Sequence, residues 1–457
     1  MRPLLLLILT LSFAILHAAE PLPKAPFTVD FGIVAPEDAG VVLYDIAAKK
    51  EVFAHNRDKE FPYASNVKLI TTGAALKHLG RNYTFKTRFY YKPETATLYM
   101  KTLGDPTMVM EELWLVANEL KNRGVKYIAR VVADDYAYGE KGCIPMEGND
   151  GTGRAYNAYL SPFALNYNSV ELVFIPAKAG EKAQVFISTP GRHFTLEGEV
   201  MTVKGKVKTV DIKSENDNGR TKLTVSGSIG AELKEGLRKE RKIWDPLRHY
   251  TDLLMYFMFQ AKDVVPERAH LDDSLFDAAD GIRYTHESRE LFLVLTLMNR
   301  WSTNFIADAI MYAIGLEKKK DHRAGLAILK EYAKALTGVE PGIINACGLG
   351  TIEQNLLTPG FVIELLKKEY GVSFAMPDFF ATLPVAGEEG TMKKIKADYK
   401  HAARLKTGSL GFVAAVSGII RGKSGRLYLV TLVLDSQKKA YLVPERDLIL
   451  DQLWNAF

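Results

Sequence analysis

The run Pro62-Tyr63-Ala64-Ser65-Asn66-Val67-Lys68-Leu69-Ile70-Thr71-Thr72-Gly73-Ala74-Ala75-Leu76 decides how the rest of the chain is read. Small and polar residues lead into apolar helix formers, so the pattern predicts a helix opened by Ser65. Lys68 follows three residues later on the same helix face, which brings its amine within hydrogen-bonding reach of the Ser65 hydroxyl. A serine hydroxyl is a poor nucleophile until a neighbour takes its proton, and a helix N-terminus adds a field that favours the developing anion. Ser65 and Lys68 therefore read as nucleophile and base.

Two more short motifs follow in order, Ser302-Thr303-Asn304 and Lys406-Thr407-Gly408. The ordered set of three reads as a serine acyl-transfer site. Single copies carry little weight, because S-x-x-K recurs at Ser436-Gln437-Lys438-Lys439 and S-x-N at Ser214-Glu215-Asn216. Ser436 closes the apolar run Leu427 to Leu434, which reads as a buried strand ending in a polar turn. Ser214 sits in the polar run Lys213 to Gly219, read as a turn with no apolar face from which to build a pocket.

The chain has 457 residues, 47% hydrophobic and 25% charged, the composition of a globular protein long enough for two or three domains. Arg2, the apolar stretch Leu4 to Leu16 and the small residues Ala18 and Ala19 match the parts of a secretory signal peptide over residues 1–19. That stretch is shorter than the ~20 residues needed to cross a bilayer, so cleavage is expected rather than anchoring. The predicted location is periplasmic or otherwise associated with the cell envelope. No second apolar stretch of membrane length follows, so no stable membrane anchor is expected. The net charge of +5 is weakly basic and reads as a mixed solvated surface. The basic run Lys234 to Lys242 reads as an exposed segment, with no nucleic-acid motif beside it. Cys143 and Cys347 are too few for a disulfide framework, and the sequence leaves their pairing open. Nine scattered histidines show no H-E-x-x-H or C-x-x-C spacing, so neither metal nor cofactor is expected.

More than two hundred residues separate Ser65 from Ser302, far more than a connection inside one domain needs. Alternating and β-branched runs at Thr84–Tyr90, Val170–Ile175, Val185–Ile187 and Leu223–Val225 predict β-rich inserted material. Met110 to Leu120 has helical spacing and ends near Gly124. Leu253–Met258 and Leu291–Met298 are apolar enough for buried elements. The division expected is a catalytic domain over 20–85 and 262–457, an inserted domain over 86–176 and 226–261, and a small nested β domain over 177–225.

The longer stretches Met298–Asp308, Leu383–Thr391 and Leu405–Leu410, with Leu103–Thr107, Leu160–Asn168 and Asn355–Pro359 between and around them, resemble the class C low-molecular-mass penicillin-binding proteins, the D-alanyl-D-alanine carboxypeptidase/endopeptidase family. The resemblance spans nearly the whole mature chain. It implies an α+β fold, a penicillin-recognising transpeptidase/β-lactamase-like domain whose antiparallel sheet is flanked by helices, with two nested β-rich inserted domains. It implies peptidoglycan stem peptides as substrate and β-lactam antibiotics as acylating ligands. By the same resemblance Ser65 attacks the carbonyl between two terminal D-alanines and Lys68 takes its proton. Ser302 and Asn304 complete the proton network and hold the substrate amide. Lys406, Thr407 and Gly408 offer a cationic strand edge to the terminal carboxylate. The backbone N–H groups of Ser65 and Ser409 form the oxyanion hole. Asp134 and Tyr138 fall where the family meets the side chain of the stem diamino acid, and a carboxylate there suits an ammonium.

Asn345-Ala346-Cys347-Gly348-Leu349-Gly350 departs from the family loop Asp-Gly-Ser-Gly-Leu-Ser, which predicts altered specificity rather than inactivity. The three motifs by themselves also suit a serine β-lactamase. An exported esterase on the same scaffold and a non-catalytic wall-binding module are the other readings. The module would show damage in at least one motif, and none is visible.

Overall fold

The computed structural model describes residues 27–146, 151–259, 263–371, 376–395, 397–438 and 440–457. The expected signal peptide lies outside the described residues.

A five-stranded antiparallel sheet organises the catalytic part, in the order Lys50–His55, Ala39–Asp45, Leu427–Asp435, Val413–Arg421, Ala403–Leu410. Its central strands are apolar on both faces because both faces are covered. Val42, Val413, Ala415, Leu429 and Val433 point into a core with the helices Lys68–His78, Leu291–Trp301, Asn304–Lys319 and Pro359–Gly371. Their neighbours Val41, Leu43, Ala414, Val416, Leu432 and Leu434 point the other way, onto the C-terminal helix Val443–Ala456. The two-residue period of a strand makes that division. Lys406-Thr407-Gly408 lies on the edge strand, paired on one side with Val416 and its neighbours.

The inserted domain is a mixed sheet of five strands, Glu267–Arg268, Arg130–Asp134, Thr97–Thr102, Lys86–Lys92 and Ile282–Glu287, with the helices Met110–Asn122 and Pro246–Phe257 over one face. This moves two expected boundaries. Residues 267–287 supply both edge strands of the inserted sheet, so the chain returns to the catalytic domain near Leu291, not at 262. The nested β domain also reaches further than 177–225. Ser169–Ile175 and Leu237–Lys242 pair with each other, and Val170, Leu172, Phe174 and Ile243 share a core with Leu223 and Val225. Both errors have one cause, that strand patterning marks a strand without naming its partner.

Two smaller readings also change. The run Lys234–Lys242 is not simply exposed, since its second half is that strand and Lys242 is buried, its ammonium 4.1 Å from the Trp244 ring centroid and 4.7 Å from that of Tyr159. Ser214 lies inside the strand Asp211–Asp217 rather than in a turn, and its hydroxyl accepts from Trp244 Nε1 at 3.0 Å.

Inserted and catalytic domains meet along the helix Asn304–Lys319. Tyr138, Met146, Leu160 and Ala164 pack there against Phe305, Ala309 and Leu316. The helix that begins at Asn304 is thereby held from both sides.

Candidate active site

Ser65 sits in a single 3-10 turn, Ala64–Val67, that runs directly into the helix Lys68–His78. The turn opens at Ala64, whose φ of +47° is left-handed, a strained choice for a residue with a side chain. Gly348 explains why the turn is pressed so tightly. A Cβ at Gly348 would stand 1.9 Å from the Ala64 carbonyl oxygen, so the loop after Asn345 lies flat against the Ser65 turn. Gly408 does the same from the sheet, where a Cβ would come within 2.6 Å of the Tyr63 carbonyl oxygen. Below the turn, Tyr63 Oη and Thr431 Oγ1 are 3.0 Å apart.

Lys68 is wholly buried and its ammonium has three acceptors: Ser65 Oγ at 2.8 Å, Asn304 Oδ1 at 2.8 Å and the Cys347 carbonyl at 2.6 Å. An ammonium out of water is disfavoured, and burial lowers the Lys68 pKa to about 8, with Cys347 and Asp308 pulling it back up. Ser302 caps the helix Leu291–Trp301 in a left-handed conformation, φ +58°, which turns the chain sharply before Asn304. The Ser302 hydroxyl accepts from Lys406 Nζ at 3.0 Å. Lys406 is also buried, and both desolvation and the neighbouring Lys68 push its pKa well down. The two lysines thus divide the site, one serving Ser65 and Asn304, the other Ser302. Thr407 Oγ1 donates to Thr391 Oγ1 at 2.7 Å, and Ser409 is exposed on the same strand.

Sequence reasoning missed the buried clamp behind these groups. Asn299 Nδ2 donates to Thr72 Oγ1 at 2.9 Å and to Thr382 Oγ1 at 2.8 Å, and Thr72 Oγ1 donates to the Lys68 carbonyl at 2.7 Å. That ties the helix Lys68–His78 to the helix that Ser302 caps. Asn299 lies one turn before Ser302 in a motif stretch, yet nothing in its local pattern identifies its partners.

Asp134 and Tyr138 are placed differently from the three motifs. Asp134 is buried, pairs with Lys101 at 3.3 Å and accepts the Leu271 N–H at 3.1 Å. An incoming ammonium would have to displace Lys101. Tyr138 is buried in the domain joint against Tyr312. Neither has a described contact with Ser65, Lys68, Asn304 or Lys406; the insert packs on the helix Asn304–Lys319 through Phe305, Ala309 and Leu316. Cys143 and Cys347 are both free thiols, the first in the insert and the second buried against Lys68. Burial raises the Cys347 pKa well above its ordinary value, which disfavours its thiolate form.

A strained serine turn, a desolvated lysine and an edge strand carrying a second lysine, all on an antiparallel sheet flanked by helices, define a penicillin-recognising serine acyl transferase. The chain belongs to the D-Ala-D-Ala carboxypeptidase 3 (S13) family, whose model matches residues 29–449, and it is a serine-type D-Ala-D-Ala carboxypeptidase. It is 26% identical over 413 residues to the D-alanyl-D-alanine carboxypeptidase of Actinomadura, covering 85% of this chain and 76% of that protein. Its fold matches penicillin-binding protein 4 of Haemophilus influenzae with a TM-score of 0.73 at 19% identity, covering 91% of this chain and 95% of the other. A predatory endopeptidase of Bdellovibrio bacteriovorus matches with a TM-score of 0.56 at 17% identity, over 91% and 92% of the two chains. No described helix is long and apolar enough to cross a membrane.

Proposed function

We propose that Ser65 is the acyl-accepting nucleophile of this carboxypeptidase, that Lys68 is its base, and that the acyl group comes from a stem peptide ending in D-Ala-D-Ala. The observation that carries this is Lys68 Nζ held 2.8 Å from both Ser65 Oγ and Asn304 Oδ1 with its pKa lowered to about 8. In its neutral form the lysine reverses the bond to Ser65, accepts the proton, and leaves the oxygen free to attack. Lys68 then gives the proton to the leaving D-alanine amine, with Asn304 holding the lysine and Ser302 completing the hydrogen-bond network.

Lys406, Thr407 and Gly408 are assigned to the terminal carboxylate and to backbone pairing along the edge strand. An approaching carboxylate favours the charged form of Lys406, so substrate binding takes up a proton. The Ser65 and Ser409 backbone N–H groups are assigned to the oxyanion, a contribution of ~3 kcal/mol per donor in comparable sites. Water attacking the acyl-enzyme releases the shortened stem. A β-lactam that acylates Ser65 and leaves slowly is the expected inhibitor, and residues 1–19 are assigned to export.

The test is intact mass of the mature protein after exposure to a reporter penicillin, comparing wild type with Ser65→Ala. A single adduct that persists for many minutes and is missing from the variant supports the assignment. Fast loss of the adduct would favour a β-lactamase, and a folded wild type that takes no label would overturn the assignment. Release of D-alanine from a stem pentapeptide, set beside cleavage of a cross-linked dimer, then divides carboxypeptidase from endopeptidase action.

A further inference from the structure

Asp308 is buried one helical turn beyond Asn304, on the same face of the helix, with 2% of its surface exposed. Its Oδ1 accepts the Ala346 N–H at 3.0 Å. The Ala346 carbonyl accepts from Thr71 Oγ1 at 2.8 Å, so this residue is pinned on both sides. The next carbonyl in the chain, that of Cys347, is the acceptor for Lys68 at 2.6 Å. One carboxylate therefore holds the loop that completes the lysine's coordination.

Holding the loop does not require a charge, since a neutral amide oxygen accepts an N–H as well. A buried carboxylate costs several kcal/mol unless a cation offsets it. Asp308 Oδ2 makes no hydrogen bond of ordinary geometry among the described residues, with the thiol and the backbone N–H of Cys347 beside the carboxyl. The cation acting on it is Lys68. The groups facing this carboxyl are Lys68 from the nucleophile helix and Cys347 from the loop, while Lys406 acts on Lys68 from the sheet.

Resting on the reading of Lys68 as base, we propose that Asp308 is a positioning residue for Lys68: through Ala346 it fixes the loop that receives the lysine, and it keeps a negative charge beside the ammonium. Burial raises the Asp308 pKa to about 6, so the carboxyl is ionised over the range where Lys68 titrates. That charge restrains the fall of the lysine's pKa.

The two roles separate by substitution. Asp308→Asn keeps an acceptor for Ala346 and removes the charge, so the rising limb of the acylation profile moves to lower pH by ~1 unit. Asp308→Ala removes both, and the plateau rate falls ~10-fold or more as the loop loosens. Asp308→Glu keeps the charge and returns the limb toward its wild-type position. Second-order rates of penicillin acylation from pH 5.5 to 10 measure all three, with thermal melting used to keep only folded variants. Coincident wild-type and Asp308→Asn profiles overturn the inference, as does an Asp308→Ala plateau equal to wild type. Wild type that fails to acylate at Ser65 would instead overturn the assignment of the nucleophile, and this inference with it.

Discussion

Replacing Gly348 by alanine tests how closely the acyl-transfer geometry depends on the loop pressed against it. The new Cβ would stand 1.9 Å from the Ala64 carbonyl oxygen, 2.4 Å from its carbon and 3.1 Å from the Ser65 nitrogen. All three are backbone atoms, so no rotamer change relieves the clash. The turn and the loop must part by about 1 Å, and a displacement of that size at a reacting group costs ~100-fold in rate. Gly348 also has φ +77°, which adds ~1–2 kcal/mol of strain for any L side chain. Parting the loop stretches the 2.6 Å bond from Lys68 to the Cys347 carbonyl, so the base loses an acceptor while Ser65 shifts. Gly348→Ala should acylate with penicillin ~100-fold more slowly, with stability lowered by ~2 kcal/mol and the protein still folded. Stopped-flow acylation and thermal melting measure the two effects. Acylation within threefold of wild type would refute the argument, because it would mean Ser65 is not held by this contact.

Other outcomes follow from the same geometry. Acylation by penicillin should rise with pH through a value near 8, because Lys68 accepts the Ser65 proton only when neutral and its pKa is lowered to about 8; a rate flat from pH 6 to 10 would contradict this. Asn299→Ala leaves Thr72 and Thr382 without their shared donor and should cost ~1–3 kcal/mol in a urea melt, a loss under half a kilocalorie counting against the clamp. Glu369, buried and hydrogen-bonded to Tyr332, has its carboxyl raised to about 7. A raised carboxyl pKa means that folding opposes its ionisation, so the cost begins above the ordinary value near ~4.3 and is complete above about 7. Glu369→Gln should therefore raise the melting temperature at pH 8 and leave it unchanged at pH 4; equal shifts at both would exclude ionisation as the cause. Stem peptides that differ only at the third residue should turn over unequally, given the Asn345 to Cys347 departure, and equal turnover would sink that expectation.

The parts of the site legible in the sequence were those fixed by short-range geometry. Ser65 and Lys68 share a helix face, a spacing whose chemical reason needs no knowledge of the rest of the fold, while Ser302, Asn304 and Lys406 to Gly408 were legible as ordered short motifs whose roles the family resemblance implied. The groups that went unread are partners distant in sequence. Asn299 reaches Thr72 and Thr382, Asp308 reaches Ala346, and the Cys347 carbonyl reaches Lys68, none of which a local pattern encodes. The loop change at Asn345 to Cys347 reads in the sequence as a lost carboxylate and hydroxyl. In the fold the loop acts through a backbone carbonyl, which any residue supplies, and through Gly348, which is retained.

The sequence by itself determined the ordered serine, lysine, asparagine and lysine motifs and the presence of a long β-rich insertion, because both rest on residue type and local period. The tertiary structure alone decided where the insertion begins and ends, since strand pairing is set by partners rather than by pattern. It alone decided that Asp134 answers to Lys101. It alone decided that Lys68 is wholly buried, and so that its pKa is lowered to about 8, because desolvation exists only once the surrounding chain has closed over it.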